Sequence, residues 1–413
     1  MVRRRRILFV DDEPSVISGL RRRMHSSRAE WETFGAPGGS EALDILSQND
    51  IDVIVSDMRM PGMMGYDLLE EVRKRHPRAI RLALSGQASR VDVDKCVGAA
   101  HRFLSKPCGA ETIEEALTRA RVLMEMPLDD RFKSIIHRLQ ALPSLPEAYD
   151  RLRRELDSEA PTSQAVAPAI SRDVALSLRV LQLVSSSFYS AGMEMTSLAR
   201  QTELLGVDVF QRLARSPVAF CRCSRPEGES FSLAGECNHA RTVASFARRI
   251  VKMEGGQQHA AEEAYAAGLL HDVGKIVWIS QVPDEYDEVL SMAREREMAL
   301  VDAEYKVLQA THAAAGAYLL GLWGLPDAVV AGAAFHHKPP DAPEGELIAA
   351  VMIHAADALA HEFAGASDGI PHPELNESYM GQAGLAHRAS AWRDACMELA
   401  QKEMKHESQG IVC

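Results

Sequence analysis

The 413-residue chain has seven cysteines but no CxxC pair, no extended basic stripe and a formal net charge of -12. Nor does any apolar run approach the ~18 residues of a membrane span. Each absence removes a class. The cysteines, Cys96, Cys108, Cys221, Cys223, Cys237, Cys396 and Cys413, are odd in number and read as free thiols of a reducing compartment. Cys221, Cys223, Cys237 and His239 make a poor zinc site, because the first pair is separated by a single residue. The negative balance argues against a broad nucleic-acid surface. The densest basic cluster, "RRRR" at 3–6, runs straight into a strand-like segment and reads as a solvated strand start. After it only Ile7 to Val10 are apolar before two acids, too short for a signal-peptide core. The expectation is a cytoplasmic protein that binds neither membrane nor DNA.

What is present falls into two halves. Apolar residues make up 46% of the chain, enough for sizeable cores. Residues 1–124 alternate short apolar runs with amphipathic segments. "RILFVDD" (6–12), "WETFGA" (31–36), "DVIVSD" (52–57), "IRLALSG" (80–86) and "HRFLSKP" (101–107) read as strands. Helical stretches lie between and after them, near 14–25, 38–48, 65–75, 89–99 and 110–124. Five such units imply a buried parallel sheet with helices on both faces, with function at the carboxyl ends of the strands. From about 128 helical periodicity dominates and strand signals vanish. "PLDDRFKSIIHRLQALPSLP" (127–146) reads as a linking helix closed by two prolines. Helices follow near 147–157, 162–170, 173–187, 208–220, 236–254, 258–271, 284–296, 303–321, 326–336, 346–363 and 388–406. Residues 364–387 read as a loop.

Two constellations carry chemistry. In the first half, Asp11 and Asp12 follow the first strand, Asp57 ends the third, Ser85 the fourth and Lys106 the fifth. Three carboxylates this close repel one another unless a cation sits among them, and Mg²⁺ suits oxygen ligands. A lysine and a hydroxyl opposite would meet a phosphoryl group. The fitting chemistry is phosphoryl transfer to a carboxylate.

In the second half, "AGLLHDVGKIV" (267–277) places His271, Asp272 and Lys275 in an apolar run, with His271 and Lys275 four apart on one helix face. Ligand-type residues recur in other apolar segments. They are His239 in "CNHARTVASFARRI", His312 in "THAAAGAYLLGLWG", His336 and His337 ending "AVVAGAAFHH", and Asp357 in "AVMIHAADALA". Imidazoles and carboxylates suit Fe, Mn or Zn in different mixtures, and Lys275 could meet a phosphate. That is the outline of a metal-dependent phosphohydrolase. The bland alternative is a set of buried histidines, each satisfied by a backbone carbonyl.

"ILFVDDEP", "VSDMRMPGMMGYDLL", "LSG" and "FLSKP" resemble the receiver domain of two-component response regulators. The resemblance makes Asp57 the phosphoacceptor. Asp11, Asp12, Asp57 and the backbone carbonyl of Arg59 would surround Mg²⁺. Ser85 and Lys106 would contact the phosphoryl group, and Phe103 matches the aromatic that changes rotamer on activation. "AGLLHDVGK" with "HAAAGAYLLGLWGLPDAVVAGAAFHH" resembles the HD superfamily. "LPSLPEAYDRL", "ISRDVALSLRVLQLVSSSFYS" and "LLGVDVFQRL" narrow the likeness to the HDOD family.

The resemblance implies a flavodoxin-like α/β receiver over 1–124, a linking helix over 125–142, an all-α HDOD domain over 143–363, and a loop with a C-terminal helix over 364–413. His239, His271, Asp272 and Asp357 match the basic HD ligands. His312, His336 and His337 match positions used by HD-GYP phosphodiesterases of cyclic di-GMP. No Gly-Tyr-Pro follows "HHKPPDAPEGE", residues 143–220 have no counterpart in those enzymes, and many HDOD domains are non-catalytic. The reading is a bacterial response regulator whose phosphorylation controls an HDOD output domain. The alternative is a phosphorylation-gated phosphohydrolase acting on a phosphoester or cyclic dinucleotide. A sensor histidine kinase and an output partner protein are implied, and a homodimer is left open.

Overall fold

In the computed structural model, all residues are described except 1–3, 25–29, 87–95, 107–109, 187–195, 217, 225–230, 366–368 and 409–413, with the side chains of 110 and 403–408 also left out. The first half is a parallel sheet of β1 (Arg5–Val10), β2 (Trp31–Ala36), β3 (Val53–Asp57), β4 (Ile80–Gly86) and β5 (Arg102–Lys106), in the order β2-β1-β3-β4-β5. Ile7–Val10 and Val53–Asp57 are buried along their whole length, as expected of strands covered on both faces. The covering helices include α1 (Pro14–Arg23), α2 (Gly39–Gln48), α3 (Gly65–Arg75) and α4 (Ala110–Glu125). Pro14 sits in the first turn of α1, where its missing N–H costs nothing. The helix expected over 89–99 falls largely outside the described residues, as does Pro107.

The link is shorter than the sequence suggests. Its helix, α5, spans Asp130–Arg138 and starts on Asp129, whose carboxylate accepts the Arg131 N–H at 2.7 Å. Beyond it the chain runs extended to Pro143, where Pro143–Ser144 (β6) pairs in parallel with Cys221–Arg222 (β7). This two-residue ladder is too short to give a periodic signal. The helices that follow begin with α6 (Pro146–Leu156), α7 (Ser163–Ile170), α8 (Val174–Val184), α9 (Leu198–Leu205) and α10 (Val207–Arg215). The domain continues through α11 (Leu233–Met253), α12 (Gln258–Leu270), α13 (Val273–Gln281), α14 (Pro283–Glu295), α15 (Leu300–Leu308), α16 (His312–Leu322), α17 (Asp327–Phe335) and α18 (Leu347–Ala364). It closes with α19 (Glu377–Gln382) and α20 (Ala389–Ser408).

Two differences from expectation matter for function. The run "AGLLHDVGKIV" is not one helix. It breaks at His271–Asp272, between α12 and α13. The break lets Gly274 press against the chain at His312, where an added Cβ would meet the His312 carbonyl oxygen at 1.9 Å. The stretch 303–321 likewise splits, because Gln309 adopts a left-handed conformation (φ 55°). The helix α9 and the short α19 within the expected loop carried no distinct sequence signal.

The two halves meet across a packed seam. Leu123 of α4 covers Gly321 of α16. Arg119 donates to the Leu325 carbonyl at 2.7 Å and to Asp327. Arg81 of β4 is wholly buried and donates to the carbonyls of Ala99 and His137, each at 2.6 Å. His137, on α5, lies 2.7 Å from the Tyr318 hydroxyl of α16. From the other side, buried Arg179 of α8 donates to the Gln140 carbonyl and stacks on Trp323. Residues 137–140 are therefore held between two buried guanidiniums.

Candidate phosphoacceptor pocket and metal centre

The carboxyl edge of the sheet gathers the first constellation. Oxygens of Asp11, Asp12 and Asp57 lie within 4.8 Å of one another. Lys106 Nζ stands 2.6 Å from Asp11 and 3.1 Å from Asp57. Asp57 is 9% exposed and accepts the Met58 N–H at 2.8 Å. Burial raises its pKa, although Lys106 pulls the other way. Burial also opposes the charge on Lys106, but Asp11 and Asp57 hold it above its ordinary value. A hard cation among the three acids would relieve their repulsion, so the residues fit Mg²⁺. Ser85 is buried one strand away, with Leu84 beside Asp57 in the register. Gly65 leaves room for the turn after β3, since a Cβ there would strike the Asp57 carbonyl oxygen at 1.9 Å. Exposed Arg59 follows directly. Phe103 is a core residue at 2% exposure in this arrangement.

The second constellation comes together completely. Asp272, His312, His336 and His337 place ligand atoms within 4.8 Å of one another, and His239, His271 and Asp357 do the same. Asp272 joins the groups. Its Oδ2 lies 3.0 Å from His271 Nε2, and its Oδ1 lies 3.0 Å from His312 Nε2 and 3.5 Å from His336 Nε2. Asp357 Oδ1 lies 3.0 Å from His239 Nε2 and 3.7 Å from His271 Nε2. The cysteine alternative fails: Cys237 is buried in the core, and none of the metal-competent groups among the described residues contains a cysteine.

The ring tautomers decide what these contacts mean. His271 Nδ1 lies 2.7 Å from the Gly268 carbonyl, and His336 Nδ1 lies 2.9 Å from the Ala333 carbonyl. A carbonyl only accepts, so each Nδ1 carries its proton. The Nε2 lone pairs are left facing carboxylate oxygens. His271 Nε2, Asp272 Oδ1 and His336 Nε2 are buried without a well-directed hydrogen bond. Buried acceptors facing acceptors need a cation between them. Without metal, protons take that place. Burial opposes the cation on His271, but Asp272 and Asp357 raise it to about 10. Burial likewise opposes the His312 cation, but Glu304 and Asp272 raise it to about 9. Burial holds His239 down to about 4 despite Asp357. The donor set of imidazole nitrogens and carboxylate oxygens fits first-row divalent ions.

Lys275 lies 2.5 Å from Asp272 Oδ2, three residues away, and lines the cavity. That cavity holds about 1020 Å³, and Arg241, Arg294 and Lys338 stand on its walls with Lys275. Sequence reasoning missed Glu304, Glu236, His354 and His361. Glu304 bonds His312, and Glu236 Oε1 lies 3.7 Å from Lys275. His354 Nδ1 lies 2.8 Å from the His336 carbonyl, and His361 Nε2 lies 3.3 Å from Asp357. His354 and His361 had a usable signal, since they fall three before and four after Asp357 on one helix. The two glutamates had none, because acids in amphipathic helices are ordinary.

Comparison with known proteins finds one family match in each half of the chain. The response regulator receiver domain family matches residues 7–118, and the HDOD domain family matches residues 142–339. An uncharacterized protein of Treponema pallidum is 28% identical over 211 residues, 51% of this chain and 40% of that protein. The DNA-binding transcriptional regulator NtrC of Klebsiella pneumoniae is 33% identical over 116 residues, 27% of this chain and 24% of that protein. The chain thus spans well under two thirds of either relative. Among solved structures, the MmoQ response regulator of Methylococcus capsulatus aligns with 61% of this chain and 97% of its own, at 21% identity and a TM-score of 0.45. The receiver domain of an HD domain-containing protein of Pseudomonas fluorescens aligns with 29% of this chain and 96% of its own, at 27% identity and a TM-score of 0.28.

Proposed function

We propose that this response regulator, a receiver domain joined to an HDOD output domain, uses phosphorylation of Asp57 to control a two-metal centre acting on phosphate esters. The observation that carries the reading is the set of buried Nε2 lone pairs aimed at Asp272 and Asp357. His312, His336, His337 and one oxygen of Asp272 would hold one divalent ion. His239, His271, Asp357 and the other oxygen of Asp272 would hold a second. Such ions would supply Lewis acidity to a phosphoryl oxygen and to water.

The chain's own residues supply the rest. Lys275 stays cationic: burial opposes its charge, but Asp272 and Glu236 hold it well above its ordinary value. It faces the cavity, where a phosphate's negative charge would meet it. Arg241, Arg294 and Lys338 add positive charge along the walls, and the volume admits a ligand of dinucleotide size. In the receiver, Lys106 and Ser85 would hold the phosphoryl group on Asp57 while Asp11, Asp12, Asp57 and the Arg59 carbonyl hold Mg²⁺.

The seam offers the coupling. Ser85 and Arg81 share β4, Arg81 donates to the His137 carbonyl, and His137 contacts Tyr318 on the helix that opens with His312. A shift of β4 on phosphorylation would therefore bias the position of a metal ligand. A sensor histidine kinase would supply the phosphoryl group.

The test uses the full-length chain loaded with Mn²⁺ and assayed on a panel of phosphodiesters, with and without a small phosphodonor and Mg²⁺. Hydrolysis that changes on phosphorylation, and is absent from His271→Ala with Asp272→Ala, supports the reading. Bound metal without turnover in either state would reduce the centre to a structural element of a non-catalytic output.

A further inference from the structure

The cavity histidines are not all held alike. His271 and His336 rest their Nδ1 atoms on backbone carbonyls. His312 rests on a carboxylate. Glu304 Oε2 lies 2.8 Å from His312 Nδ1 and also accepts the His312 backbone N–H at 2.8 Å. Glu304 is wholly buried on α15, and the left-handed turn at Gln309 brings α16 back onto it. No lysine or arginine pairs with it among the described residues; its ion-pair partner is His312. A buried carboxylate is costly unless the ring it faces carries positive charge, as a proton or a metal ion. Helix capping does not require it, because the Thr311 hydroxyl already caps α16 by accepting the Ala314 N–H at 3.2 Å. The charge has another purpose.

We propose that Glu304 is a positioning residue for His312. It fixes the proton on Nδ1, leaves Nε2 as the donor atom, and strengthens that imidazole as a metal ligand. The group of His312, His336, His337 and Asp272 then binds its ion more tightly than the group of His239, His271 and Asp357, whose rings have no second carboxylate behind them among the described residues. The centre loads in order, the carboxylate-backed half first. This inference rests on the two-metal reading and adds an inequality between its halves.

The test is a Zn²⁺ titration of the full-length chain in competition with a chromophoric chelator. Glu304→Gln is the informative change. It keeps an oxygen for both His312 donors and removes the charge. Wild type should show two dissociation constants, and Glu304→Gln should weaken the tighter one by about 10–100-fold while leaving the weaker one unchanged. In a His336→Ala background, where the tighter half is already broken, adding Glu304→Gln should change nothing further. Melting of the metal-free protein in chelator reads separately what Glu304 contributes to its buried ion pair with protonated His312. Unchanged constants with a lowered metal-free melting temperature would make Glu304 a structural bracket only and overturn the proposal. Equal weakening of both constants would overturn the inequality. A wild type that binds no Zn²⁺ would instead remove the two-metal reading itself.

Discussion

Asp272 Oδ1 and His312 Nε2, both buried, lie 3.0 Å apart, and Glu304 Oε2 stands 2.8 Å from Nδ1 on the far side of the ring. Asp272 has a second such relationship through Oδ2 with His271, also at 3.0 Å. One carboxylate thus serves both ligand groups. The expected consequence is an asymmetry among variants. Asp272→Ala should lose both ions, whereas His336→Ala and His239→Ala should each lose one, a different one. Metal counting on the three proteins checks this. Equal loss in all three would mean that the two groups form a single site.

Metal should contribute visibly to stability. A ligand present at about 100 times its dissociation constant adds about 2.7 kcal/mol to the folded state. For a domain of this size that corresponds to a shift of about 5–10 °C. Thermal melts before and after EDTA should differ by that amount in wild type and coincide in His271→Ala with Asp272→Ala. Coincident melts in wild type would argue for an empty cavity.

Asp57 should be the sole phosphoacceptor. Asp57→Asn keeps the shape of the pocket and removes the nucleophile beside Lys106, whose Nζ stands 3.1 Å away. Acid-labile label from a small phosphodonor with Mg²⁺ should fall to background in this variant. Label persisting there would move the assignment to another acid.

The seam should weaken in acid. His137 is buried, and burial lowers it to about 3, with nearby Arg81 adding to the effect. A histidine depressed in the folded state binds its proton more readily when unfolded, at about pH 6.5. Its contribution is complete above that pH and is lost as pH falls towards 3. At pH 5 the loss from this one group amounts to about 2 kcal/mol. Chemical denaturation at pH 7.5 and pH 5 should show the drop, and His137→Leu should flatten it. An identical pH slope in the variant would place the acid sensitivity elsewhere.

The receiver half was legible because its signals are local. Each functional residue sits at or just beyond a strand end, and parallel strands deliver those ends to one edge, so spacing alone brings Asp11, Asp57 and Lys106 together. The metal cavity was legible as residue types only. His239 and Asp357 are 118 positions apart, and no periodicity states that they meet. The break at His271–Asp272 was hidden because Leu270, Val273 and Ile276 are apolar on both sides of it. It accompanies the close approach of Gly274 to His312, a contact between distant segments. Glu304 escaped notice for the same reason: its partner is made by a turn at Gln309 that has neither Gly nor Pro to mark it. Nothing in the sequence sets Arg81 and Arg179 apart from ordinary strand and helix charges; their burial comes from the seam.

On this proposal, seven residues from five helical segments and junctions hold two ions. Elemental mass spectrometry of the full-length chain, stripped by chelator, reloaded with Mn²⁺ or Zn²⁺ and dialysed, tests it most directly. Two transition-metal ions per chain are expected in wild type and none in Asp272→Ala. A wild type that retains no metal, or an Asp272→Ala protein that retains both ions, would contradict it.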